Sequence, residues 1–232
     1  MQLKKALALA CLALLAGWGH AQNTAAPREC AASAPFLSAD ALKKSGVEFP
    51  LFKRYCYTDK SGSYALLLGE KQDRPFPEEL LSSAIQAALY KVDSDNLLTR
   101  QWAIRDFAGE QAVGVNFRTR LFEFADIDGD GLVDPVLVYR FFEPEDDGHV
   151  NVDPFSGRAK IIAFHQGRKT TIHAVTGQLD GQRRTTGNSG YFALPKTVQR
   201  HLVKKMAAMY SARQFGFDNS YGFAPQKEPA GR

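Results

Sequence analysis

The chain has 232 residues, 44% of them hydrophobic and 23% charged, and a formal charge of +4. That supports one domain with its own core. No dense Lys/Arg stripe is interleaved with aromatic residues, so nucleic acid is set aside as a partner.

The N-terminus reads as a secretory signal peptide over residues 1–21. Lys4 and Lys5 precede an apolar stretch from Ala6 to Ala16, and Gly19-His20-Ala21 supplies small residues for cleavage after Ala21. The apolar run is shorter than the roughly 20 residues a membrane span needs, and no later segment is long and apolar enough. A lipoprotein anchor would use Cys11, but that cysteine lies inside the apolar run. Cleavage removes two lysines and no acid, which lowers the charge to +2. The mature protein is therefore expected in the periplasm or outside the cell, without a transmembrane segment.

Cleavage also leaves two cysteines, Cys30 and Cys56. In an oxidising compartment they are expected to pair; the alternative is two free thiols. With no Cys-x-x-Cys spacing, a redox role is not expected. Residues 22–35 read as a flexible arm, pinned only if Cys30 is bridged. Ser38 suits the cap of a short helix through Lys44, with Gly46 just past its end.

Strands follow. Phe52–Thr58 and Ser63–Glu70 flank Asp59-Lys60-Ser61-Gly62, a hairpin by turn chemistry. Residues 71–82, with Pro75 and Pro77, read as a loop. Ser83–Val92 and Leu97–Asp106 form a second hairpin about Asp93-Ser94-Asp95-Asn96, although the Ala-rich segment 78–90 also suits a helix. Val113, Val115 and Phe117 alternate with polar residues. Val136–Phe142 is a continuous apolar run, expected to be the central, most buried strand. A polar loop spans 143–157. Ala159–His165 and Lys169–Val175 make a third hairpin about Gln166-Gly167-Arg168. Only the C-terminus reads as a long helix. After Pro195, Val198, Leu202, Met206 and Met209 form one stripe, while Arg200, Lys204 and Lys205 face away. The tail from Gly216 is expected to be loose. The fold class is α+β: antiparallel hairpins and meanders over 36–215, with a C-terminal amphipathic helix.

The chemistry concentrates in Phe124–Val136, which packs Asp126, Asp128, Asp130 and Asp134 among glycines. Counted from Asp126, the loop places aspartates at positions 1, 3, 5 and 9 and Gly131 at position 6. The carbonyl of Leu132 is at position 7. This is the order of a calcium loop, in which position 6 needs glycine for a sharp turn and position 9 acts directly or through water. With no His or Cys nearby in sequence, zinc and copper are disfavoured, so Ca²⁺ is expected ahead of Mg²⁺. The competing reading is a solvated turn whose acids point apart. An EF-hand is excluded because position 12 is Leu137 rather than Glu and the flanks read as strands.

"DIDGDGLVD" followed by an apolar strand resembles the calcium loops of FG-GAP and VCBS repeats in secreted and adhesive proteins. Those proteins usually carry several copies, whereas this chain has one. A longer stretch, "QWAIRDFAG", "VNFRTRLFEFADIDGDGLVDPVLVYR", "AKIIAFHQGRKT" and then a helix, covers about 84–210. It resembles small secreted bacterial proteins loosely named surface polysaccharide biosynthesis proteins. The resemblance implies a one-domain protein outside the cytoplasm with an acidic loop, and it supplies no catalytic residues.

Enzyme constellations are weak. His149, His165, His173 and His201 are scattered without metal-ligand spacing, and read as surface or half-buried strand residues. His165 and His173 could face each other in their hairpin. Ser189 in "GNSGY" lacks the GxSxG spacing and reads as loop. Glu143, Glu145, Asp146, Asp147 and Asp153 form a second acidic stretch, read as a solvated loop. Trp102, Tyr139, Phe141 and Phe142 could form a sugar platform, but alternating strand aromatics read as core. The expectation is a monomeric, calcium-stabilised, non-catalytic module meeting an envelope glycan or envelope protein. The alternative is a calcium-dependent glycan-active enzyme using carboxylates of 143–153.

Overall fold

The computed structural model describes residues 28–228. Residues 1–21, read above as a signal peptide, and residues 22–27, read as part of a flexible arm, lie outside them. The strands are β1 (Arg28–Glu29), β2 (Leu51–Asp59), β3 (Gly62–Glu70), β4 (Arg74–Pro75), β5 (Leu80–Leu81), β6 (Ala84–Val92), β7 (Leu98–Phe107), β8 (Gly114–Phe117), β9 (Glu123–Ala125), β10 (Asp134–Phe142), β11 (Gly157–His165), β12 (Arg168–Thr176), β13 (Arg184–Gly187) and β14 (Gln226–Lys227). The helices are α1 (Ala39–Ser45), α2 (Ser189–Ala193) and α3 (Lys196–Ser211).

One sheet runs β1-β2-β3-β6-β7. The second runs β14-β13-β12-β11-β10-β8, with β9 also paired to β10. Pairing is antiparallel apart from the parallel β13–β14 edge, so the fold is α+β with mainly antiparallel sheets. The sheets stack through one core: Leu66, Leu68, Ile85 and Ile104 from the first meet Leu137, Tyr139, Phe141 and Ile162 from the second. Period-two alternation sends the other side chains outward. Ala65, Leu67, Ala88 and Tyr90 meet Phe36 and Leu42 of the α1 segment. Val136, Val138 and Ile161 meet Val198, Leu202, Met206 and Met209 of α3. Four layers result, helix, sheet, sheet and helix, in the manner of elements that must each bury an apolar face.

This layering explains β6. Its alanines would suit a helix by propensity alone. Ala87 packs into the intersheet core and Ala88 beneath α1, and both are buried, so packing on two faces overrides propensity. The α1 boundaries follow from its caps: the Ser38 side chain accepts from the Ala41 N–H, and Gly46 adopts φ 79°. Cys30 and Cys56 form the disulfide, with Cα atoms 5.0 Å apart, and β1 pairs with β2, so this end of the arm is pinned.

Several expectations are corrected. β10 is buried along its whole length but is not the middle of its sheet: beyond it lie only the short β8 and β9, and the two flanking layers provide the burial. Ser189 opens a short helix rather than a loop, because the Asn188 side chain accepts from the Tyr191 N–H. Lys205 does not face away; its ammonium donates to Glu123 at 3.0 Å. The segment from Gly216 is docked rather than loose: Phe217 is fully buried against the α3 face, and β14 joins the sheet. Among the described residues no helix is long and apolar enough to cross a membrane.

Candidate metal centre

The acidic loop joins β9 to β10, whose pairing of Asp134 with Ala125 closes its base. Gly129 and Gly131 take φ of 80° and 81°, a left-handed conformation that residues with a Cβ rarely adopt. Gly131 meets a second constraint: a Cβ there would lie 2.7 Å from the Lys60 side chain.

Backbone donors hold the carboxylates inward. Asp126 accepts from the N–H groups of Gly129 and Gly131, each at 2.8 Å. Asp130 accepts from the Leu132 N–H at 2.8 Å and from the Gln166 amide at 3.1 Å. Asp128 accepts from the Asp130 N–H at 3.3 Å. One oxygen each from Asp126, Asp128 and Asp130 thus falls within 4.8 Å of the others. The structure therefore excludes the reading in which the acids point apart. Burial opposes ionisation of Asp130, yet the bonds from Gln166 and Leu132 hold its carboxyl below the ordinary value.

Asp134 is placed differently. It is buried, and one of its oxygens accepts from the Ile127 N–H at 3.1 Å. The other lies 3.0 Å from His165 Nδ1. Nε2 of the same ring is 3.7 Å from Asp128. Asp128, Asp134 and His165 thus make a second cluster, sharing Asp128 with the first. Burial, opposed by the Ile127 N–H and the His165 ring, pushes the Asp134 carboxyl up to about 6.

His165 corrects the expectation that no histidine stands near the loop. It is distant in sequence, but the β10–β11 register, Val136 opposite Ala163, extends to place Asp134 across from His165. The same β-pairing separates His165 from His173, which sits opposite Lys160. The sequence reading placed the β2–β3 turn but missed its contact with the acidic loop. Asp59 accepts from the Val133 N–H at 3.2 Å, the Lys60 N–H donates to the Gly131 carbonyl at 3.1 Å, and the Lys60 ammonium donates to the Asp130 carbonyl. The loop of the second sheet is thereby tied to a turn of the first. The local signal was the polar Asp59-Lys60-Ser61 at a hairpin tip; nothing in the sequence pointed that tip at the loop.

The other candidate groups are spread over separate partners. Glu143 pairs with Arg158 at 3.0 Å, and Asp153 accepts from the Phe155 N–H and the Ser156 hydroxyl. His149 meets Glu78, His173 lies 3.5 Å from Glu228, and His201 lies 2.7 Å from Glu123. Tyr139 and Phe141 are intersheet core and Phe142 is fully buried. Trp102 stacks on Phe164 with ring centroids 3.5 Å apart. These aromatics form no exposed platform.

The acidic groups at Asp126, Asp128 and Asp130 lie close enough to hold a metal ion. Carboxylate oxygens suit a hard cation, and the imidazole would add a ligand for a softer one. No family model, curated protein or solved structure matches the chain.

Proposed function

We propose that the 126–134 loop binds one Ca²⁺ and that the ion fastens the two sheets in a non-catalytic module acting outside the cytoplasm. The observation that carries the metal reading is the convergence of Asp126, Asp128 and Asp130 within 4.8 Å. By the spacing of the loop, the Leu132 carbonyl at position 7 and Asp134 at position 9, directly or through water, are the further oxygen ligands this reading assigns. Ca²⁺ is favoured over zinc because the groups that converge within 4.8 Å in the loop are three carboxylates, hard oxygen donors, while His165 lies 3.0 Å from Asp134. In that position it orients a ligand, as outer-shell partners commonly do. A ligand that binds only the folded state raises its stability. The ties from Lys60 and Asp59 to the loop carry that gain to the first sheet.

The proposed setting, in which the module meets an envelope glycan or envelope protein, rests on the signal-peptide reading and the family resemblance, and the disulfide is compatible with it. Calorimetry with Ca²⁺ and with Zn²⁺, on the wild type and on Asp128→Ala, tests the metal. Binding of Ca²⁺ by the wild type alone is expected; zinc binding with no calcium response would replace this reading. Incubation with extracted envelope polysaccharide tests the rest. Retention without cleavage is expected, and turnover lost in Glu143→Gln would favour the glycan-active enzyme.

A further inference from the structure

Three arginines crowd a cavity of about 490 Å³ lined by residues of β8, the turn after it, the β10–β11 loop and the chain after α3. Its size falls within the range of small-molecule sites. Arg118, Arg120 and Arg140 line it together with a single carboxylate, Glu79. That carboxylate is already engaged: both of its oxygens accept from the Arg118 guanidinium, at 2.9 and 3.2 Å.

Arg140 is the unusual member. It is only 2% exposed, yet its bonds go to the carbonyls of Asn151, at 2.8 Å, and Val152, at 3.4 Å, and neither acceptor is charged. Its Nε is buried and meets no acceptor among the described residues. Burial, with the neighbouring Arg118 charge, pushes its pKa down to about 10. Among the described residues no carboxylate bonds it directly, although the charges of Glu79, Asp153 and Glu143 act on it from farther off. A buried cation without a direct partner is costly to keep, and this one is held in place: the Arg118 and Arg140 guanidinium carbons each lie 4.9 Å from the centre of the Phe142 ring. Phe117, Pro154 and Phe215 add apolar wall.

We propose that this cavity binds a small organic anion, its oxyanion group paired with Arg140 and Arg120 and its carbon skeleton lying against Phe215 and Pro154. The planar guanidinium suits carboxylate and phosphate alike. The site is separate from the acidic loop and stands whether or not that loop holds a cation.

Calorimetry on the full mature chain at low ionic strength tests the proposal. The probes are glucuronate, glucose 1-phosphate, inorganic phosphate and, as the neutral control, glucose. Binding of glucuronate or of glucose 1-phosphate, but not of glucose, is expected; the better of the two identifies the head group, and inorganic phosphate measures the oxyanion contribution alone. Arg120→Ala, at an exposed position, should weaken binding about tenfold. Arg140→Met should abolish it, and the melting temperature of the variant, measured alongside, separates loss of the site from loss of the fold. Should Arg140→Met fail to fold, Arg120→Ala decides alone. Absence of anion binding at millimolar concentration, or unchanged affinity in the variants that fold, overturns the proposal.

Discussion

Removing one carboxylate from the acidic loop should change its response to calcium more than its stability without calcium. Asp126, Asp128 and Asp130 offer oxygens within 4.8 Å of one another. At that spacing each pair of unit charges repels by ~0.9 kcal/mol in water, and by several times that at an effective dielectric near 20. Asp128→Ala removes two of the three repulsions. It also removes the acceptor for the Asp130 N–H and the charge 3.7 Å from His165 Nε2. A lost hydrogen bond costs about 1 kcal/mol. The terms oppose each other, so in EDTA the variant should melt close to the wild type. In calcium they should part. With a dissociation constant of ~0.1 mM, as in extracellular calcium modules, a hundredfold excess of ion stabilises the wild type by about 2.7 kcal/mol. For a chain of this size that is roughly 5–10 °C in melting temperature. Thermal unfolding of both proteins, in EDTA and in calcium, measures the difference. A wild type that melts identically in the two buffers, or a variant that keeps the whole calcium shift, would refute the loop as a calcium site.

Other outcomes follow from the packing. Glu70 is buried, and its only charged-state help is the Phe117 N–H at 2.8 Å with Arg118 and Gln72 nearby; burial pushes its carboxyl from 4.5 up to about 7. Below pH 4.5 the group is protonated in both states and costs nothing, and as pH rises through 7 the buried charge lowers stability by about 3 kcal/mol. Glu70→Gln should therefore match the wild type at pH 4 and exceed it at pH 8; parallel pH profiles of melting temperature would count against this. The Cys30–Cys56 bridge closes a separation of 26 residues, worth about 3.5 kcal/mol in the chain-entropy treatment, so reductant should lower the wild-type melting temperature and leave Cys30→Ser/Cys56→Ser unmoved. Phe217→Ala should cost about 3–5 kcal/mol in denaturant unfolding because Phe217 is fully buried; a loss below about 1 kcal/mol would mean that the tail is not docked.

Much was legible in the chain because it was local. The hairpin β2–β3 was readable from Asp59-Lys60-Ser61-Gly62, α1 from Ser38 and Gly46, and α3 from the stripe Val198, Leu202, Met206 and Met209. The three carboxylates that converge are two residues apart, so one loop with glycine at 129 and 131 suffices to gather them. Backbone geometry over a few residues set these features, and the sequence carries that geometry directly.

What escaped was set by contacts between distant segments. Segment 78–90 had a composition that fitted two structures, and only the layers on both its faces select a strand. Lys205 looked solvated because a helical wheel does not show Glu123 waiting on β9. The tail from Gly216 looked loose until Phe217 found the face of α3. Most of all, the acidic loop by itself predicted an all-oxygen site. Strand register brings His165 onto Asp134 across 31 positions, and sheet stacking brings Asp59 to the Val133 N–H across 74. The sequence by itself determined that four aspartates would share one glycine-turned loop. The tertiary structure decided that three converge while the fourth is buried against a histidine, because pairing and packing depend on which strands become neighbours, and no local pattern encodes that choice.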